Sequence, residues 1–304
     1  MNLYLPIAGM SVNILVIIGL GGLVGLLSGM FGVGGGFLTT PLLIFYGIPP
    51  SVAVASSAPQ ITGASVSGVL AHRQRGGVDI RMGLVLVAGG AVGTILGGFI
   101  FRGLQAMGQI DMVVAMLYVV LLGGIGLTMA REAVHSLVAM HRGHPPAPVA
   151  RRHHPLIAAL PGRWRFYGSG LYLSPLAPFG LGLATGILTA MMGVGGGFIL
   201  VPAMIYLLGM STRVVVGTSL FQILFVTAAT TLMHSVTTQS VDIVLASLLL
   251  IGSVTGAQLG ARFAQKLKPE YLRLILAFIV LTVAFRMALG LTWRPDEIFT
   301  VEPL

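Results

Sequence analysis

Apolar residues run through this chain in long stretches that polar residues rarely interrupt. Ten such segments can be marked, at about 12–31, 36–47, 52–71, 82–101, 111–130, 175–192, 197–208, 213–233, 242–263 and 271–292. A helix needs roughly 20 apolar residues to cross a bilayer, and most of these segments supply them. The runs are continuous rather than alternating, so helices are expected and a β-barrel is not. Composition agrees: 56% of the 304 residues are hydrophobic and 8% are charged, against about 45–50% and 25% in an average soluble domain. The expected fold class is an all-α, multi-pass membrane protein.

The net charge of +9 does not point to nucleic acid, because the basic residues fall between the apolar runs, as membrane topology requires. With no cysteine in the chain, disulfides, thiolate metal sites and cysteine nucleophiles are excluded. No Lys or Arg precedes the first apolar run, which therefore reads as a retained helix and not a cleaved signal.

The chain repeats itself. Gly25–Pro41 reads GLLSGMFGVGGGFLTTP and Gly186–Pro202 reads GILTAMMGVGGGFILVP. Downstream, Ser57 and Gln60 align with Ser219 and Gln222, His72 with His234, and Val78-Asp79-Ile80 with Val241-Asp242-Ile243. Gly89, Gly93 and Gly97 align with Gly252, Gly256 and Gly260. Shared apolar composition would match Leu and Val, not Gln, His and Asp. The expected organisation is a first repeat over 1–130, a basic linker over 131–173 with little regular structure, and a second repeat over 174–304. Trp164 marks an interfacial stretch within the linker.

The basic residues change sides between the copies. Arg73, Arg75 and Arg81 follow the third segment, but residues 234–241 hold no Lys or Arg. Arg102 stands alone after the fourth segment, opposite Arg262, Lys266, Lys268 and Arg273. Arg213 faces Ser51. Two repeats of opposite topology would produce this pattern. The linker, with Arg131, Arg142, Arg151, Arg152, Arg163 and Arg165, is then cytoplasmic, and Arg102 and Arg294 are the exceptions.

Three consecutive glycines cost about 1 kcal/mol each in a helix relative to alanine. Gly34, Gly35, Gly36 and Gly195, Gly196, Gly197 therefore predict a break before a short helix. Each second segment, at about 12 residues, spans roughly 18 Å; it either crosses a thinned region or folds back as a re-entrant hairpin. A helix N-terminus at a break offers free backbone N–H groups and the positive end of the dipole, which suits an anion. The alternative is a tight turn or close helix packing.

The paired GVGGGF motifs and the segments Ser56–Gln60 and Thr218–Gln222 resemble the sulfite exporter TauE/SafE family of membrane permeases. That resemblance covers most of the chain except the linker. It implies transport of a small sulfur anion such as sulfite or an organosulfonate. It also implies a site formed by the glycine backbone with Ser56, Ser57, Gln60, Thr218, Ser219 and Gln222, side chains otherwise suited to interhelical hydrogen bonds. Thr39 and Thr40 face Leu200 and Val201 in the other copy, so any role for them is asymmetric.

His72 and His234 close the third segments, and Asp79 and Asp242 open the fourth. Proton coupling is one reading; helix capping is the other, and for the aspartates the stronger. Arg286, inside the last segment, can snorkel outward or neutralise an anion. The cluster His141, His144, His153 and His154 has irregular spacing and Pro-rich flanks, so no metal site and no cofactor are expected. No Walker, HExxH or GxSxG motif appears. The expectation is a secondary transporter in the bacterial inner membrane, not an enzyme, working by alternating access. An anion channel or a carboxylate transporter of the same fold is the alternative, and a homo-oligomer is compatible with the sequence.

Overall fold

A computed structural model describes residues 2–31, 35–74, 76–141, 161–264 and 269–292. The chain is helical and belongs to the all-α membrane class: five helices are long and apolar enough to cross a membrane. The first half contains α1 (Ile14–Phe31), α2 (Gly36–Phe45), α3 (Pro50–Gln74), α4 (Ile80–Ala106) and α5 (Ile110–His141). The second contains α6 (Leu176–Met192), α7 (Gly197–Tyr206), α8 (Thr212–Thr237), α9 (Ile243–Ala264) and α10 (Pro269–Thr292). Their order follows the apolar segments, and only α5, at 32 residues, runs far past its segment.

Two features were not expected. A β-hairpin precedes each half: β1 (Asn2–Leu5) pairs with β2 (Met10–Asn13), and β3 (Trp164–Phe166) with β4 (Leu171–Leu173). Each hairpin plugs the adjoining bundle with two buried side chains, Leu5 and Val12 in the first and Phe166 and Leu173 in the second. The linker also proves more regular than its Pro, His and Arg content implied. Helix α5 continues to His141, and β3 and β4 occupy its far end. Residues 142–160, with most of the histidine cluster, lie outside the described residues.

The first helix of each half packs against the fourth helix of the other, so α1 lies on α9 and α6 on α4. Glycine makes both seams close. A methyl group on Gly25 would run into the backbone of Ser253, and one on Gly256 into the carbonyl of Gly22. Gly93 meets the Leu183 carbonyl in the same way. Without a hydrophobic drive between helices in lipid, such backbone-to-backbone packing is a main source of association. The central pair, α3 and α8, runs antiparallel: Thr62 bonds Thr227 across the middle at 2.7 Å, while Gly217 near the start of α8 abuts His72 near the end of α3. Gly126 against Val280 and Leu281 joins α5 to α10.

The short helices fold back. The Tyr46 hydroxyl, just past α2, accepts the Asn13 N–H just before α1 at 3.2 Å. Thus α2 returns to the end where α1 began. In the second half, Met204 and Leu208 return to Phe166 and Leu173 of the hairpin.

Candidate functional site

Both glycine breaks arrive at the centre of the bundle. Gly35 caps α2 without a side chain, and Gly36 begins the helix against the carbonyl of Val194 in the other copy. Gly195 and Gly196 both hold φ +73°, a left-handed conformation that glycine adopts without strain. Gly195 sits among Ile61, Ile223 and Thr227, halfway along α3 and α8. Gly196 caps α7, lies near Thr185 and Thr189, and is followed by Gly197 as the first helical residue. Gly34 is outside the described residues. The two motif phenylalanines, Phe37 and Phe198, stack at 4.6 Å between centroids. Two helix N-termini therefore meet, each with first-turn N–H groups that lack intrahelical acceptors and with the positive end of a dipole.

Gln60 and Gln222 are fully enclosed, and the amide oxygen of each has no hydrogen-bond partner among the described residues. Each directly precedes an isoleucine, Ile61 or Ile223, that packs on Gly195. The Gln222 amide nitrogen donates to Thr185 Oγ1 at 3.4 Å. An enclosed polar atom without a partner costs about 1–3 kcal/mol. The two stand at equivalent positions of α3 and α8, and Thr94 Oγ1 and Asp242 Oδ2 are the other enclosed side-chain atoms without a partner among the described residues. No Lys or Arg is buried among the described residues, so positive potential here comes from dipoles and neutral donors.

The other hydroxyls are committed elsewhere. Ser56 Oγ accepts the Asp242 N–H at 2.9 Å, and Thr218 Oγ1 accepts the Asp79 N–H at 2.9 Å. Each third helix thus ties down the start of the other half's fourth helix. Asp79 Oδ1 accepts from Met82 N–H at 3.1 Å, while Asp242 Oδ1 accepts from Val244 and Leu245 N–H at 3.1 and 3.0 Å. Both aspartates are N-caps. Ser57 and Ser219 bond back to Val54 and Val216, and Ser57 also reaches the Gly193 carbonyl at 3.0 Å.

The histidines stand at opposite ends of the bundle. His234 lies fully buried near the end of α8, with Nε2 donating to the Ala190 carbonyl at 3.0 Å and its ring edge-on to Phe101. His72 abuts Gly217, near the start of the same helix. The intervening stretch of α8 is about 25 Å long, too far for direct proton exchange. Arg286 neither points alone into lipid nor reaches the glycine breaks: it lies over the Phe45 ring at 5.5 Å and shares a cavity of about 390 Å³ with Asp111.

Sequence reasoning missed Tyr118, whose hydroxyl donates to the Met192 carbonyl at 2.6 Å. Thr40 Oγ1 lies 3.0 Å from Ser57 Oγ. Tyr118, Thr40 and Ser57 together bind the carbonyl end of α6 just before the second break. The position opposite Tyr118 is apolar, as are those opposite Thr39 and Thr40, so this clasp exists on one side only. A polar residue within an apolar span was the available signal for Tyr118.

Residues 17–287 match the family model described as sulfite exporter TauE/SafE. The chain belongs to the sulfite exporter TauE/SafE family. Relatives of this TauE/SafE protein extend over nearly its whole length. A probable membrane transporter protein of Xylella fastidiosa is 28% identical over 93% of this chain and 96% of its own. The probable membrane transporter protein YjnA of Bacillus subtilis is 29% identical over 91% and 100%. A further probable membrane transporter protein, from Methanocaldococcus jannaschii, is 25% identical over 88% and 91%. No solved structure matches the chain. The family and its relatives make this TauE/SafE chain a membrane transporter.

Proposed function

We propose that this TauE/SafE protein is a secondary transporter for a small anion, held where the two glycine breaks meet and exposed alternately to each side. The carrying observation is the meeting of two helix N-termini beside two enclosed glutamines whose amide oxygens lack partners. An amide turned about its terminal bond puts its NH₂ in the oxygen's place, where it can donate to an anion. Neutral donors hold a small oxyanion without the grip of a fixed guanidinium, so release remains easy. A sulfur oxyanion, sulfite or an organosulfonate, is the substrate class that the family name favours.

The two halves are read as inverted repeats. The antiparallel course of α3 and α8 supports this, as does the charge distribution. Packing gathers Arg73, Arg81, Arg131, Arg163, Arg165 and Arg262 at one end of the bundle, with Arg102 and Arg286 toward the other. The Arg-rich end is assigned to the cytoplasm of a bacterial inner membrane. The driving force is the membrane potential or a proton gradient.

Purified protein in liposomes should take up labelled sulfite or a sulfonate in a saturable way, with counterflow against unlabelled anion. No flux of any sulfur or carboxylate anion under any ion gradient would sink the proposal. Non-saturating flux without counterflow would make the protein a channel, and preference for carboxylates would keep the fold and change the substrate.

A further inference from the structure

We propose that the β3–β4 hairpin and the start of α4 form a binding site for the headgroup phosphate of an anionic phospholipid. Arg81, Arg163, Arg165 and Tyr167 line a cavity of about 560 Å³, together with Leu84 and Trp164. The guanidinium carbons of Arg81 and Arg165 lie 5.2 and 5.6 Å from the centre of the same Tyr167 ring. One ring thus carries two guanidinium groups of like charge, and among the described residues neither forms an ion pair with a carboxylate. The neighbouring acid, Asp79, is occupied: its Oδ1 accepts from Met82 N–H and its Oδ2 from Ser169 N–H at 2.8 Å. The described acids thus leave both guanidinium groups available to an anion from outside the chain.

The fold itself does not call for these side chains. The first hairpin has the same shape and the same buried plug, yet it has Leu3, Tyr4 and Pro6 where the second has Trp164, Arg165 and Tyr167. Helix α9 likewise has Val244 where α4 has Arg81. The basic, aromatic cluster is an addition to one copy.

Its surroundings point to lipid. Arg81 lies in the first turn of an apolar span that begins at Ile80, and Leu84, one turn further along, is exposed on the same wall. Cationic groups therefore sit directly above an apolar surface, the order in which a phospholipid presents its phosphate and acyl chains. Trp164, Tyr167 and Tyr172 are all exposed on the hairpin, and such rings favour the headgroup level. Basic pockets at the cytoplasmic ends of spans recognise anionic headgroups on this principle.

Native mass spectrometry of the purified full chain, offered phosphatidylglycerol and phosphatidylcholine in equal amounts, tests the site. The wild type should retain phosphatidylglycerol at least tenfold over phosphatidylcholine, and the double variant Arg81→Gln/Arg165→Gln should lose that preference. If the double variant does not yield folded protein, Arg165→Gln alone, on the hairpin outside the helices, should weaken it. Equal retention of the two lipids by the wild type, or an unchanged preference in the folded variants, would overturn the proposal. So would thermal stabilisation of the lipid-free protein by inorganic phosphate equal to that given by phosphatidylglycerol, since the occupant would then be a soluble anion.

Discussion

Phe37 and Phe198 hold the same place in the two copies of the glycine motif, and their rings lie nearly parallel, 12° apart in plane. Residues far apart in the chain thus form the contact that brings the two short helices together. Stacked aromatic pairs contribute about 0.5–1.5 kcal/mol beyond their buried area. A double-mutant cycle on Phe37→Leu and Phe198→Leu, read by unfolding in mixed detergent, should show coupling of about that size. Strict additivity would mean that the rings only fill space.

The glutamines should govern affinity. Gln222→Leu removes the amide while keeping much of the volume, and should weaken sulfite or sulfonate binding at least tenfold, about 1.4 kcal/mol. Gln222→Glu puts a negative charge beside the site and should abolish binding. Unchanged thermal shifts with ligand in both variants would show that the anion binds elsewhere.

For the aspartates, capping predicts a mild phenotype. Asp79→Asn and Asp242→Asn retain an oxygen acceptor and should transport with an unaltered pH profile. The alanine variants should lose about 1 kcal/mol of stability each. A flattened pH profile of flux in either Asn variant would restore the proton-coupling role.

Neighbouring glycines on α1 should respond differently to the same substitution. Gly25→Ala drives a methyl group into the Ser253 backbone, whereas at Gly22 the nearest atom of the facing helix is 3.7 Å away. Overpacking costs about 1–3 kcal/mol, so Gly25→Ala should lower the melting temperature clearly and Gly22→Ala should barely change it. Equal effects would place the seam elsewhere.

Tyr118→Phe removes the donor to the Met192 carbonyl at the end of α6 and leaves that oxygen enclosed. The expected cost is about 1–3 kcal/mol, seen as a lower unfolding midpoint with helix content retained. A variant as stable as wild type would show that the clasp is dispensable.

The order of the described helices and most of their boundaries, α5 excepted, were legible because lipid imposes long apolar runs, and the repeated motifs were legible because polar landmarks such as Gln60 and Gln222 keep register. The hairpins were not legible. Strands of three or four residues, such as Trp164–Phe166, are too short for a period-two pattern to emerge from apolar flanks. The roles of Ser56 and Thr218 were hidden for another reason. Their partners, Asp242 and Asp79, belong to the opposite half, and no local spacing rule joins α3 to α9 or α8 to α4. The glycines aligned between copies marked faces, but which helices those faces met depended on how the halves interlock.

That interlocking bears on how the chain is made. Helix α1 ends at residue 31 and its glycine partner α9 begins at 243, while α4 waits for α6. During synthesis the first half therefore enters the bilayer with two of its closest surfaces unmatched: that of α4 closes once α6 emerges at the start of the second half, that of α1 only when α9 follows. A chain severed in the central linker would not give two self-sufficient pieces. Each fragment alone would present open glycine faces to lipid, and only joint production of both would restore a working unit.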